Sequence, residues 1–263
     1  MVKIMYRNQV FRMIFAATLV LGWLLGCVGA GGAGLTITLL TVGFGLPIHT
    51  AIAVSLSCMT FTVASGAYSH YREGEVLVRL GAAVGAAGIF GALAGTRTAF
   101  LIPPKLLMPA TAIMLLLTTA LLYVQLFRGH LIKDYVERNK STATGSVFYL
   151  RSCIIGLVTG FLSGAFGIGA TAFIQISLML FFGISLYHAI GTTMMIILPI
   201  AISGGLSYLV NGMMDPVVFI QTLAGLTIGS FIGAKFTHLI PKDILRCLMI
   251  SMPLIGGVLL LTN

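Results

Sequence analysis

Eight long apolar stretches fill this chain, and two of them exceed the thickness of a bilayer. The first half carries Val10–Leu46, Pro47–Tyr71, Val76–Ile102 and Leu106–Phe127; the second carries Val147–Gly183, Ile184–Val210, Pro216–Ile240 and Ile244–Leu261. The hydrophobic share is 58%, the charged share 8% and the mean hydropathy +1.08. A soluble domain has about 25% charged residues, so this chain lacks the polar surface to face water. In hydrocarbon every backbone amide needs a partner inside the protein, which leaves helices or closed barrels. The stretches are continuously apolar rather than alternating, so helices follow.

Most stretches suit one tilted crossing. Val10–Leu46 and Val147–Gly183 do not: their 37 residues make about 55 Å of helix against a hydrocarbon core of about 30 Å. Each contains a glycine cluster, and a break there, in membrane depth or near its edge, is expected. If each long stretch crosses once, the two halves are parallel; if it dips and returns, they are inverted. Counting cations leaves both open. A parallel arrangement with a cytoplasmic N-terminus puts ten of the 15 Lys and Arg inside and five outside, and so does an inverted one with an external N-terminus. Both place the charged linker, residues 128–146 (RGHLIKDYVERNKSTATGS), in the cytoplasm, between membrane units 10–127 and 147–261.

Shifted by 138 residues, the chain matches itself without a gap. Gly26, Gly29 and Gly31 fall on Gly164, Gly167 and Gly169, and Phe44-Gly45 on Phe182-Gly183. Ser65-Gly66 meets Ser203-Gly204, Gly74 meets Gly212, and Gly91 and Gly95 meet Gly229 and Gly233. Leu101-Ile102-Pro103 meets Leu239-Ile240-Pro241, and Arg97 meets Lys235. Apolar composition would scatter Leu and Ala matches but would not align glycines, a proline and a cation. The expected fold is an all-α polytopic membrane protein of two tandem repeats, each with four to five helical segments and a glycine-rich break. The repeat also bears on Trp23–Leu35 (WLLGCVGAGGAGL), whose LLGC reads as a lipoprotein cleavage site after Lys3, Arg7 and Arg12. Cleavage before Cys27 would remove the counterpart of residues 148–164. The second copy keeps the glycines as SGAFGIGA without the cysteine, so Cys27 is read as incidental.

The formal charge of +9 sits at the ends of apolar segments and is not clustered with aromatics. That placement fits anionic lipid headgroups and argues against nucleic acid. Cys27, Cys58, Cys153 and Cys247 lie in apolar stretches with no CxxC, so neither a metal nor another cofactor is expected. All six acidic residues (Glu73, Glu75, Asp134, Glu137, Asp215, Asp243) lie in or beside predicted loops. Cation pumps bury carboxylates in the membrane; this chain offers none, which argues against a cation substrate while leaving proton coupling through a histidine open.

Helix breaks in a membrane line cavities or pack inside protein, and freed amides at the start of a half-helix suit an anion. Gly29, Gly31 and Gly32 from one half and Gly167 and Gly169 from the other are the expected donors. Close helix packing is the competing role of glycine, and it fits Gly91-xxx-Gly95 and Gly229-xxx-Gly233. Two polar patches follow the breaks, LPIHTAIAVS with His49, Thr50 and Ser55, and ISLYHAIGTT with His188, Thr192 and Thr193. Their hydroxyls cap a helix or contact an oxyanion; their histidines cap, donate to the anion or carry a proton. Arg97 and Lys235, near the ends of their segments, snorkel to headgroups or pair at the mouth of an anion route.

These residues together resemble the sulfite exporter TauE/SafE family, also called TSUP, over about Val10 to Leu261. Its halves each have a GxGGG-like cluster, then GLPxHxAxGTS, then a leucine-proline turn. Here the clusters read Gly29-Ala-Gly31-Gly32-Ala33 and Gly167-Ile-Gly169; GLPIHTA stands at Gly45–Ala51, Ala53-Val54-Ser55 replaces GTS, and Gly191-Thr192-Thr193 nearly keeps it. The resemblance implies a transporter of the bacterial cytoplasmic membrane that moves sulfite, sulfonates or related small organic anions, with alternating access as the expected mechanism. The partners expected are the small anion and the bilayer, with a homo-oligomer left open. A passive anion channel is the first alternative. An intramembrane hydrolase, with Ser163 in LSGAFG as nucleophile and His188 or His238 as base, is the second.

Overall fold

The computed structural model describes residues 2–28, 33–127, 145–236 and 241–262. They form ten α-helices and no strand. In the first half these are α1 (Val2–Val28), α2 (Ala33–Thr38), α3 (Ile48–Arg72), α4 (Val78–Leu101) and α5 (Pro104–Phe127). In the second they are α6 (Ser146–Phe166), α7 (Thr171–Phe182), α8 (Leu186–Val210), α9 (Pro216–Phe236) and α10 (Lys242–Thr262). A π-helical turn, Leu39–Gly43, prolongs α2. The starts of α2, α3, α4 and α5 each precede those of α7, α8, α9 and α10 by 138 residues. The glycines at 29, 31 and 32 lie outside the described residues, as do the bulk of the charged linker and His238.

The second break is resolved in detail. α6 is 21 residues long, about 31 Å, while the 12 residues of α7 make about 18 Å and cannot cross a bilayer alone. Between them Gly167 (φ 69°), Gly169 (φ 70°) and Ala170 (φ 46°) are left-handed, a conformation natural only to glycine. Gly167 closes α6 by donating its N–H to the Ser163 carbonyl at 2.8 Å. The long stretch is thus a full crossing followed by a half-helix.

Seven described helices (α3–α6 and α8–α10) are long and apolar enough to cross a membrane, and the chain is a multi-pass membrane protein. Their outer faces carry large exposed apolar side chains such as Phe90, Leu150, Ile154 and Ile220, suited to lipid. Hydroxyls within the helices return to the chain, as Thr111, Thr119 and Thr159 do by donating to carbonyls four residues back.

The halves are interlocked rather than side by side. α1 packs on α9 and α4 on α6, each a contact between halves, while α3 and α8 cross at the centre and α5 lies against α10. Glycine permits the two peripheral pairs to meet backbone to backbone. A Cβ at Gly91, Gly95, Gly160 or Gly164 would overlap a carbonyl oxygen across the α4–α6 contact, and one at Gly26 or Gly229 would do so between α1 and α9. Close approach of this kind replaces the hydrophobic driving force that is missing between helices in lipid. It also bears on Cys27: loss of α1 would strip α9 of its partner. The half-helices are tied across the same divide. Thr38 of α2 donates to the Gly256 carbonyl of α10 at 3.2 Å, and Gln125 of α5 donates to Gln175 of α7 at 2.6 Å.

Gly160→Leu therefore forces α4 and α6 apart and is expected to abolish the monodisperse detergent-solubilised protein on size exclusion. Gly74→Ala, at φ 76° with nothing within 4 Å, is expected to cost about 1 kcal/mol and to leave a folded protein with a slightly lower melting temperature.

Candidate substrate-binding cavity

A cavity of about 580 Å³ opens among α1, α2, α3, α7, α8 and α9. It follows α3 from Ser55 to His70, about 22 Å of helix axis. His70 lies two residues before the end of α3, whereas Ser55 is two turns in from its start. The cavity thus leads from the α3–α4 turn into the middle of the crossing. Ala33 and Thr36, at the start of α2, and Thr171, the first residue of α7, also line it. Both half-helices therefore begin at this wall.

The lining is apolar with polar groups set into it. Leu25, Met59, Phe61, Leu226 and Phe231 supply the apolar surface. Thr36, Ser55, Thr62, Ser65, Thr171 and Ser230 supply hydroxyls. Ser55 donates to the Ala33 carbonyl at 2.7 Å, so it braces the first turn of α2 against α3. Gly169 lies against the Met59 side chain, one turn beyond Ser55, and brings the start of α7 to the same level. Ala170, which precedes α7, gives it no side-chain cap. The first amides of that helix thus lack both an intrahelical acceptor and a cap at a cavity wall.

Three of the counterparts in the second half are packed inside the protein. At the 138-residue offset, Cys58, Thr62 and His70 correspond to Ile196, Ile200 and Tyr208, and all three of the latter are fully buried. The Tyr208 hydroxyl donates to the Gly164 carbonyl at 3.1 Å, and Phe100 meets its ring edge-on at 5.0 Å between centroids.

The structure distributes the expected site residues among several tasks. Ser55 alone of those described lines the cavity. Gly167 and Gly169 shape the break from beneath it, packed on Ile52, Ile37 and Met59. His49 donates from Nε2 to the Ala99 carbonyl at 3.0 Å, tying α3 to the end of α4. His188 donates from Nδ1 to the Glu75 carbonyl at 3.1 Å, and Thr192 accepts from the Leu77 amide at 3.0 Å, so both hold the α3–α4 turn. The Thr193 hydroxyl is buried without a partner among the described residues, and Thr50 is partly exposed in the first turn of α3. Arg97 is exposed on α4, away from the cavity, while the Lys235 side chain and Gly29, Gly31 and Gly32 lie outside what is described. Ser163 is fully buried with no hydrogen bond to its hydroxyl, and His188 is engaged at Glu75, so no hydrolytic pair forms among the described residues.

Sequence reasoning passed over Thr36, Thr171 and His70. The first two stand directly behind the glycine clusters, a signal that was available. His70 borders a predicted loop, and only the packing of α9 and α1 turns its helix end into a cavity wall. There His70 Nδ1 donates to Glu75 Oε2 at 2.7 Å, and Ser69 donates to Glu73 at 3.2 Å. One ligand atom from each of His70, Glu73 and Glu75 lies within 4.8 Å of the others.

Comparison with known proteins places this geometry in context. The family model described as sulfite exporter TauE/SafE matches residues 14–260. A protein named "Probable membrane transporter protein YdhB", from Bacillus subtilis (strain 168), is 43% identical over 249 residues, covering 95% of this chain and 99% of the relative. A "Probable membrane transporter protein" from Xylella fastidiosa (strain 9a5c) is 24% identical over 218 residues, covering 81% and 79%. No solved structure gives a significant match.

The cavity-lining residue and its buried counterpart separate in a labelling experiment. In a chain stripped of its four native cysteines, Thr62→Cys is expected to react with a water-soluble methanethiosulfonate sulfonate. Ile200→Cys, its buried counterpart, is expected to stay unlabelled over the same time.

Proposed function

The chain belongs to the sulfite exporter TauE/SafE family of membrane transporters, and from that premise we propose that it is a carrier for a small anion, sulfite, a sulfonate or a related organic anion. The observation that carries the reading is a cavity that runs from the α3–α4 turn to the uncapped start of α7. A half-helix N-terminus directs unpaired N–H groups and the positive end of its dipole at whatever occupies that space. The Thr171 hydroxyl adds a donor beside it.

In this reading the charge selection comes from dipoles. Among the described lining residues there is no carboxylate and no Lys or Arg. A site without a full positive charge holds an anion weakly, as a carrier that must release its load requires. The glycines of the break serve by shape: Gly167 and Gly169 take left-handed conformations that let α7 begin in the middle of the protein. The apolar walls suit an organic body attached to the charged group.

Alternating access is the mechanism proposed for the exchange of sides. The open cavity against the first half and the packed Ile196, Ile200 and Tyr208 in the second are the asymmetry expected of a carrier caught open to one side. A continuous pore would need both. The glycine-packed pairs, α1 with α9 and α4 with α6, would move as rigid units about the α3–α8 crossing.

Proteoliposomes loaded with thiosulfate or isethionate test the proposal. The expected result is saturable uptake with counterflow of labelled anion. Thr171→Val removes one hydroxyl at constant shape and is expected to raise the half-saturation concentration at least about tenfold, the worth of one hydrogen bond to a charged group, with an unchanged melting temperature. Flux that neither saturates nor exchanges would replace the carrier with a channel. Wild-type protein that moves none of the family's anions would end the proposal.

A further inference from the structure

We propose that His70 and Glu75 form a proton-binding pair that couples the anion route to a proton gradient, an inference that rests on reading the cavity as that route. His70 lines the cavity, and apart from Cys58 it is the only titratable side chain among the described lining residues. Its Nδ1 donates to Glu75 Oε2 at 2.7 Å, with the two side chains 27% and 26% exposed. They are reachable by water yet sheltered from it. Nε2 makes no hydrogen bond among the described residues and is the atom free to take a proton.

The place of the pair ties it to the moving parts. The Glu75 carbonyl accepts from His188 Nδ1 of α8 at 3.1 Å. Gly191 of α8 leaves little room for a Cβ, which would stand 3.0 Å from that carbonyl oxygen and 3.1 Å from His70 Cβ. Any rocking of α8 on α3 therefore acts on both members. The pair is also confined to the half that holds the cavity. At the 138-residue offset His70 becomes Tyr208 and Glu75 becomes Met213, which carry no charge between them.

The other charged groups nearby are few. Glu73, exposed at the end of α3, has its ligand atom within 4.8 Å of those of His70 and Glu75 and is held by Ser69. Arg72 is exposed in the same turn. From α8 the facing titratable group is His188, already bonded to the turn, and the lining residues of α1 and α9 contribute none. Imidazole is the side chain whose ordinary charge change falls in the neutral range. The step transfers a proton alone. With an anion in the cavity, water on the open side gives a proton to Nε2 while Nδ1 keeps its bond to Glu75. The proton so carried offsets the single negative charge that crosses with the solute, without contact between the ring and the anion. Release of anion and proton on the far side returns the neutral ring.

The test uses proteoliposomes and isethionate, a strong-acid anion that brings no proton of its own. With the outside one pH unit more acidic, wild-type protein is expected to accumulate isethionate up to about tenfold, the energy of one such unit being about 1.4 kcal/mol. Entrapped pyranine should report matching proton entry. His70→Gln keeps a donor toward Glu75 but takes up no proton. It is expected to retain counterflow and to lose accumulation, leaving a concentration ratio of one; Glu75→Gln should move the same way. Accumulation by His70→Gln equal to wild type would overturn the coupling, as would wild-type exchange indifferent to the pH gradient. Loss of counterflow in both folded variants would also overturn it, assigning the pair to anion binding. Absence of any wild-type flux would instead remove the carrier reading on which the coupling depends.

Discussion

A backbone that leaves its helix inside a bilayer exposes polar groups that no lipid can satisfy. The rest of this structure follows from how it meets that demand. At Gly167–Ala170 the chain turns through three left-handed residues, closes α6 with its own amide and begins a second helix at once. Ala170 gives the first turn of α7 no side-chain cap, and its first residue, Thr171, lines a cavity set with hydroxyls. In the proposed reading, the cost of the break and the means of holding an anion are one feature seen from two sides.

The interlocked packing keeps such a break in place. A half-helix buries little surface by itself, and α7 is held by the Gln125–Gln175 bond from the other half and by contact with α8. Between α1 and α9, and between α4 and α6, glycines let backbone meet backbone, which brings these pairs unusually close. The α3–α8 crossing joins them at the centre. A frame of closely packed pairs around the α3–α8 contact is what the proposed alternating access would use.

Much of the architecture was legible because a membrane helix advertises itself by length. α3, α8 and α9 begin within two residues of the apolar stretches that announced them, and the excess length of Val147–Gly183 required the interruption found after Phe166. The site was less legible because it depends on contacts between halves. His49, His188 and Thr192 have the chemistry of ligands, yet their partners are the Ala99 and Glu75 carbonyls and the Leu77 amide, groups at helix ends that no local pattern reveals. His70 and Tyr208 hold equivalent places in the sequence register. Only packing shows that one borders open space while the other is buried.

The account turns on whether an anion rests beside the start of α7, and anomalous diffraction would locate one directly. In crystals grown with selenite, the selenium analogue of sulfite, the strongest anomalous peak is predicted inside the cavity, among Thr36, Ser55 and Thr171. Peaks confined to exposed cations such as Arg97, with the cavity empty at saturating selenite, would contradict it.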